Sequence, residues 1–360
     1  MPKKAFCSFV PGFMSNKLVN KVKAGVLVLA VVAGIAAYIF YRAFYSSQIR
    51  LSDKSKLIYI HTGWDFEKVA GMLKDKHLIR DPKMFRFVAE VKGYITDVKP
   101  GRYRVVNGMS NTQLVNLLMS GKQEPETINL YNIRTKYDLA GIIAGKMQAD
   151  STAVISYFEN NDSIKRYGFN TYNVIAMFIP GTYTLLWTDS PRDFFEQMHT
   201  NYEAFWTKTR RKEAQEAGLS PMQLSILASI VQGEQSLFPD EKPTIAGLYI
   251  NRLHKGMPLQ SDPTLVFARG DFSILRVRNG DKEIESPYNT YKHAGLPPGP
   301  INMPEASSID AVLNFDRNDY LYMCAEADFS GRHHFCITYK EQQEYATKYH
   351  RAENKKQIIR

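Results

Sequence analysis

No acidic residue occurs among the first 23 positions, and no charge of either sign among the next 18, Ala24 to Tyr41 (AGVLVLAVVAGIAAYIFY). The second absence excludes an ordinary half-solvated helix. An 18-residue helix is about 27 Å long, just enough for a hydrocarbon core of about 30 Å. The five lysines before the run assign its N-terminal side to the cytoplasm. A removed signal peptide would end in small residues, but Tyr41, Arg42 and Phe44 follow here. The expectation is a cytoplasmic tail over 1–23, a retained single-pass anchor over 24–44 and an extracytoplasmic remainder, at the plasma (inner) membrane.

Cysteine is scarce: Cys7, Cys324 and Cys336 are the only three, which excludes a disulfide framework. CxxC and HExxH are both missing. His333 and His334 are adjacent, a spacing that sends them to opposite faces of a strand, so no metal site and no cofactor is expected. Tyr320 to Ala325 and His334 to Tyr339 read as a hairpin turning at Ser330-Gly331. That turn centres the pairing on Ser330, which puts Cys324 opposite Cys336 and permits a disulfide outside the cytoplasm. There is no internal repeat, no low-complexity tract and no nucleic-acid-binding module. Of the net charge of +10, half belongs to the N-terminal lysines. The modest positive balance left suits a carboxylate-bearing polymer.

With 44% hydrophobic and 12% aromatic residues the chain can bury one or two cores, and its pattern is α+β. After the anchor, 51–123 reads as a small membrane-proximal unit: helices over Phe66–Lys76 and Asp81–Val91, a strand over Gly101–Val106, and a helix from Met109 to Leu118 capped by Ser110. Over 124–350 the reading is a larger domain. It has a strand near Thr127–Tyr131, helices near Lys136–Gln148, a turn at Pro180-Gly181, and one long helix from Pro191 to Ala217. The aromatic stripe of that helix (Phe194, Phe195, Met198, Tyr202, Phe205) points to core. Asp240 to His254 forms a further helix, closed by Gly256. Residues 351–360 read as a basic, frayed tail.

The chemistry concentrates in SPMQLSILASIVQGEQ, residues 220–235. Ser220 is a fitting N-cap and Pro221 a fitting first residue. Leu224, Leu227, Ala228 and Val231 recur at the spacing of a buried helix face, and three residues on comes Glu234. Apolar surroundings and a helix C-terminus both disfavour a carboxylate, which raises the pKa toward a proton-donating range. A solvated Glu paired with a lysine is the plainer alternative. Downstream lie Gly256-Met-Pro-Leu-Gln-Ser-Asp-Pro-Thr264, Ser286-Pro-Tyr-Asn-Thr-Tyr291 and Gly295-Leu-Pro-Pro-Gly-Pro-Ile301, turn-rich blocks of the kind that line clefts.

These blocks, together with Ala228-Ser-Ile-Val-Gln-Gly-Glu234-Gln235, Asp319-Tyr-Leu-Tyr322 and Gly331, His333 and Phe335, resemble the endolytic murein transglycosylase (YceG-like) family from about Leu51 to Ala346. The resemblance implies a LysM-like unit over 51–123 and a catalytic domain over 124–350. It also implies lytic, non-hydrolytic cleavage between N-acetylmuramic acid and N-acetylglucosamine, leaving 1,6-anhydro ends, in wall assembly and glycan strand termination. Glu234 is the implied acid and base. Gln260, Asp262, Thr264, Tyr288, Asn289, Thr290 and Tyr291 are candidates for sugar contacts. Peptidoglycan strands, the membrane and peptidoglycan synthases are the implied partners. The family's first glutamate is Gln232 here and its lysine is Gly233, so neither is expected to serve the chemistry; Gly181 stands where the family has an aspartate. The competing readings are a hydrolytic muramidase using Asp262 as second carboxylate, and a non-catalytic wall-binding scaffold.

Overall fold

Helix α1 (Asn16–Phe44) exposes the apolar side chains of its middle: Val26 is 61% and Leu29 69% exposed. Its stretch Asn20–Phe44 is long and apolar enough to cross a membrane. The structure, a computed structural model, describes residues 16–274 and 276–358, so most of the expected cytoplasmic tail, Lys3, Lys4 and Cys7 included, lies outside the described residues. By internal packing the chain divides after Glu124.

In the first unit, β1 (Ser55–Ile60) is followed by α2 (Phe66–Asp75) and α3 (Pro82–Lys92), then by β2 (Gly101–Val106), which pairs antiparallel with β1 from Ser55↔Val106 to Ile60↔Gly101. Helix α4 (Asn111–Ser120) closes the unit behind a reciprocal Ser110–Gln113 cap. Asp65 and Asp81 cap α2 and α3 by accepting backbone N–H bonds. Ile58, Phe66, Leu73, Phe85, Val88, Tyr103 and Leu114 make its core, which Ala43 and Phe44 at the end of α1 join. All four elements read from the sequence are present within two residues; β1 and a short 3-10 turn at Tyr94–Thr96 were not in that reading.

The second unit begins with β3 (Glu126–Leu130), α5 (Lys136–Ala144), α6 (Ser151–Glu159) and the short α7 (Asn161–Lys165). Next comes β4 (Gly181–Leu185), antiparallel to β3 with Leu130 opposite Gly181. The expected Pro180-Gly181 turn is thus a strand start. The expected single helix over Pro191–Ala217 is two: α8 (Pro191–Phe205) and α9 (Lys208–Glu216). Trp206 buries its indole at the break, and the Thr207 hydroxyl accepts from Arg210 N to start α9.

Helix α10 (Pro221–Glu234) lies at the centre, against α11 (Lys242–His254), α12 (Asp262–Arg269) and α13 (Ala306–Leu313). Every residue from Leu224 to Val231 is buried, so α10 is a core helix rather than the one-sided helix its spacing suggested. The Ser-Asp-Pro-Thr block, read as a turn, starts α12. Strands β5 (Tyr322–Ala325) and β6 (His333–Cys336) form the expected hairpin, and α14 (Tyr339–Ile358) packs on both. The supposed frayed tail continues α14 to Ile358, and Glu353 pairs with Arg276 at 3.1 Å.

The hairpin register differs from expectation by two residues. Cys324 faces His334, and Cys336 faces Tyr322. The reversal centres on Phe329, whose φ of +59° with the Asp328 side chain accepting from Ser330 N turns the chain one residue early. A two-residue offset preserves which face each side chain takes but removes direct opposition, and both thiols are free.

Candidate active site

Glu234 is the last residue of α10, on the floor of a cavity of about 700 Å³. The carboxyl is crowded by protein atoms while the residue keeps some surface open to the cavity, as a group on a cleft floor does. Two hydroxyls converge on the same oxygen: Tyr249 Oη donates to Glu234 Oε1 at 2.6 Å and Ser261 Oγ at 2.5 Å. Burial raises the pKa, and these two donors and the nearby His333 offset only part of it. Asp262 pushes it further up by like-charge repulsion. The result is a carboxyl biased toward its protonated form, with Oε2 left for a ligand. Tyr249 is itself held neutral by burial and by the Glu234 charge beside it.

Ser261 occupies the N-cap position of α12, yet its side chain makes no capping bond. The hydroxyl that would cap the helix serves Glu234 instead. Gly233 makes this approach feasible. A Cβ there would meet Pro263 Cβ at 2.8 Å, so a side chain at this position would push the first turn of α12 away by a few tenths of an ångström.

Opposite lies the β5–β6 hairpin. His333 lines the cavity and meets Glu241 Oε2 through Nδ1 at 3.0 Å, while its backbone N–H donates to Glu241 Oε1 at 3.2 Å. Glu241 is 8% exposed. Burial alone would raise its pKa, but bonds from Gln235 and His333 together bring it below the usual carboxylate range. His333 and His334 do take opposite faces, as their adjacency implied: His334 meets Glu326. Arg252, also buried, bonds the carbonyls of Leu321, Pro258 and Leu259 and so ties the hairpin to the segment before α12.

Of the expected sugar-contact residues, Gln260, Asp262 and Tyr291 line the cavity. Gln260 takes φ +53°, and Tyr291 Oη donates to Asp262 Oδ1 at 2.5 Å. Thr264, Tyr288, Asn289 and Thr290 do not line it. Thr264 and Thr290 join hydroxyls at 2.8 Å beneath the α12 start. Asn289 donates to the carbonyls of Lys282 and Ile284. Tyr288 faces a separate cavity and donates to Tyr172 O at 3.3 Å. The Gly295–Ile301 block is packing too: a Cβ on Gly299 would lie 2.0 Å from Tyr172 O, and Ile301 N donates to Ser229 Oγ on α10. Gln232 accepts from Glu305 N and Ser308 Oγ, a bracing role for α13. Tyr249, Ser261 and His333 were not singled out for the site in sequence. Ser261 and His333 stand inside matched blocks; Tyr249 carries no local signal.

The sequence model of the YceG-like family matches residues 58–348, so the chain belongs to that family. It is similar to the endolytic murein transglycosylase of Bacillus subtilis, with 30% identity over 83% of this chain and 86% of that one. The endolytic murein transglycosylase of Streptococcus pneumoniae D39 is 27% identical over 83% of this chain, which spans 60% of that longer protein. A crystal structure of a yceG-like protein from Listeria monocytogenes aligns with a TM-score of 0.53 at 27% identity, over 81% of this chain and 99% of its own.

Proposed function

We propose that this chain is a membrane-anchored lytic transglycosylase that cuts peptidoglycan strands and leaves 1,6-anhydro-muramoyl ends. Family membership makes it an enzyme of the lytic transglycosylase kind acting on murein. The observation that carries the site is one carboxyl, Glu234, biased toward protonation on the floor of a cleft large enough for sugars.

In this reading Glu234 Oε2 delivers its proton to the glycosidic oxygen as the C1–O bond breaks. The carboxylate formed then takes the proton of the muramoyl C6 hydroxyl, whose oxygen closes onto C1. Water takes no part, and Glu234 ends protonated, ready for another cycle. Intramolecular attack relieves the protein of supplying a nucleophile. Tyr249 and Ser261 stabilise the carboxylate between the two half-reactions, because both donate to the oxygen that is not transferring the proton. His333, Gln260, Asp262 and Tyr291 orient the sugars.

The first unit's strand–helix–helix–strand order supports a LysM-like role in glycan contact, over 51–123. We read 124–350 as the catalytic domain and α1 as an anchor with its N-terminus in the cytoplasm, which gives the enzyme access to strands near the membrane and to synthases making them. Mass spectrometry of digested peptidoglycan tests the reaction: lytic ends are lighter by one water and lack a reducing sugar. Products with reducing muramic acid would instead favour hydrolysis with Asp262 as partner carboxylate, and no product at all would favour the scaffold.

A further inference from the structure

The β5–β6 hairpin turns His333 toward the cleft and gathers on its other face a set of donor atoms that the proposed reaction leaves unused. The register sets Cys324 directly opposite His334, so both side chains leave the same face, and Cys336 follows two residues on. Glu341, in the first turn of α14, comes down onto them. One ring nitrogen of His334, the Cys336 Sγ and a Glu341 carboxylate oxygen all lie within 4.8 Å of one another. Cys336 is 1% exposed; the other two are partly buried. The His334 ring is pinned from two sides: Tyr345 of α14 stacks on it at 3.4 Å between centroids, and Glu326 meets Nδ1 at 3.2 Å. A carboxylate on one imidazole nitrogen is the outer arrangement that orients a ring whose other nitrogen ligates a metal.

We propose that His334, Cys336 and Glu341, with Cys324 as fourth donor, form a structural site for a thiophilic divalent cation of the zinc type. The donor set decides the class: sulfur and imidazole exclude magnesium and calcium, which take oxygen ligands, and suit tetrahedral zinc. Metal–ligand bonds of about 2.0–2.3 Å put neighbouring ligands roughly 3.3–3.8 Å apart. The three donors that lie within 4.8 Å must draw in by about an ångström to reach that spacing, and Cys324 must turn to join them. The register that denies Cys324 and Cys336 direct opposition leaves both thiols available. The ion would fasten α14 to the hairpin. Tyr339 and Gln342 of α14 and Cys324 and His333 of the hairpin all line the cleft, so the ion would hold that wall from its edge. This inference stands whether or not the proposed reaction is correct.

The test uses the full-length chain in detergent, reduced and stripped of metal. Zinc is titrated against a chromophoric chelator, and cobalt is followed by visible absorption. The expected result is one ion per chain and a cobalt spectrum with thiolate charge-transfer and strong tetrahedral ligand-field bands. Cys336→Ser and Glu341→Gln should each weaken zinc binding at least about 10-fold. Binding unchanged in Cys336→Ser, or a cobalt spectrum without sulfur character, would overturn the site. If that variant does not fold, alkylation of the unaltered chain decides. Zinc should protect Cys324 and Cys336, and equal labelling with and without zinc overturns the proposal. So does recovery of a Cys324–Cys336 disulfide that zinc and reductant together cannot replace with bound metal.

Discussion

Replacing Glu234 by Gln or by Ala separates its chemical role from its structural one, because Tyr249 and Ser261 donate to a single oxygen, Oε1. The Gln amide oxygen can occupy that position and keep both bonds, with the amide nitrogen toward the cleft, where Oε2 was. Glu234→Gln therefore removes only the titratable proton. A general acid/base contributes about 10²–10⁴ in rate, and this residue is asked to serve in both directions, so anhydro-product should fall at least about 10²-fold. Glu234→Ala loses the same activity but strands two hydroxyls, on Ser261, fully buried, and Tyr249, 2% exposed. Each costs about 1–3 kcal/mol when unsatisfied, and a unit of this size loses about 2–4 °C of Tm per kcal/mol. Only the Ala variant should melt markedly earlier. The pH dependence has a definite sign. Burial raises the folded-state pKa of Glu234 above its unfolded value, so the native state holds the proton longer. Its contribution to stability is intact below the usual carboxylate pKa and declines as pH rises through the raised one. Glu234→Gln abolishes that decline, so its Tm advantage over the natural chain should grow toward alkaline pH. Calorimetry across pH, beside mass-spectrometric product assays at matched protein, checks both halves. Near-full activity in Glu234→Gln, or equal destabilisation by Gln and Ala, would refute the reasoning.

Four further outcomes are expected. Tyr249→Phe removes a donor to the carboxylate, so the pKa of Glu234 should rise and the basic limb of the pH–rate profile should move to higher pH; an unmoved limb counts against this bond. Gly233→Ala forces Pro263 and the start of α12 away by a few tenths of an ångström, which should cost about 1–3 kcal/mol in thermal melts and most of the activity. Asp262→Asn keeps an acceptor for Tyr291 and should leave measurable lytic product, whereas complete loss would advance the two-carboxylate hydrolase. A reporter active only in the cytoplasm, fused after Arg360, should be silent; activity there would contradict the proposed orientation.

Much of the molecule was legible in local chemistry. Aspartate and serine caps, the Pro-led start of α10 and the alternation in Gly101–Val106 depend on neighbours within four residues, and each element stands where those signals put it. Elements fail to follow the sequence reading where a distant partner intervenes. Gly181 starts a strand because β3 lies beside it, and the helix after Pro191 breaks where Trp206 finds a buried place. Glu234 could be named in advance because its apolar approach and its motif are both contiguous in the chain. Its environment could not: Tyr249, Ser261 and His333 come from a helix, a helix cap and a hairpin separated by up to 99 residues from it. Conversely, Thr264, Asn289 and Thr290 have the polar side chains of sugar-contact residues, but their hydrogen bonds are satisfied within the protein. A polar residue in a matched block must satisfy either a ligand or its own backbone, and the sequence reads alike in both cases. The packing of α12 and the hairpin around the end of α10 decided which side chains face the cleft and raised the pKa of the carboxyl at its floor.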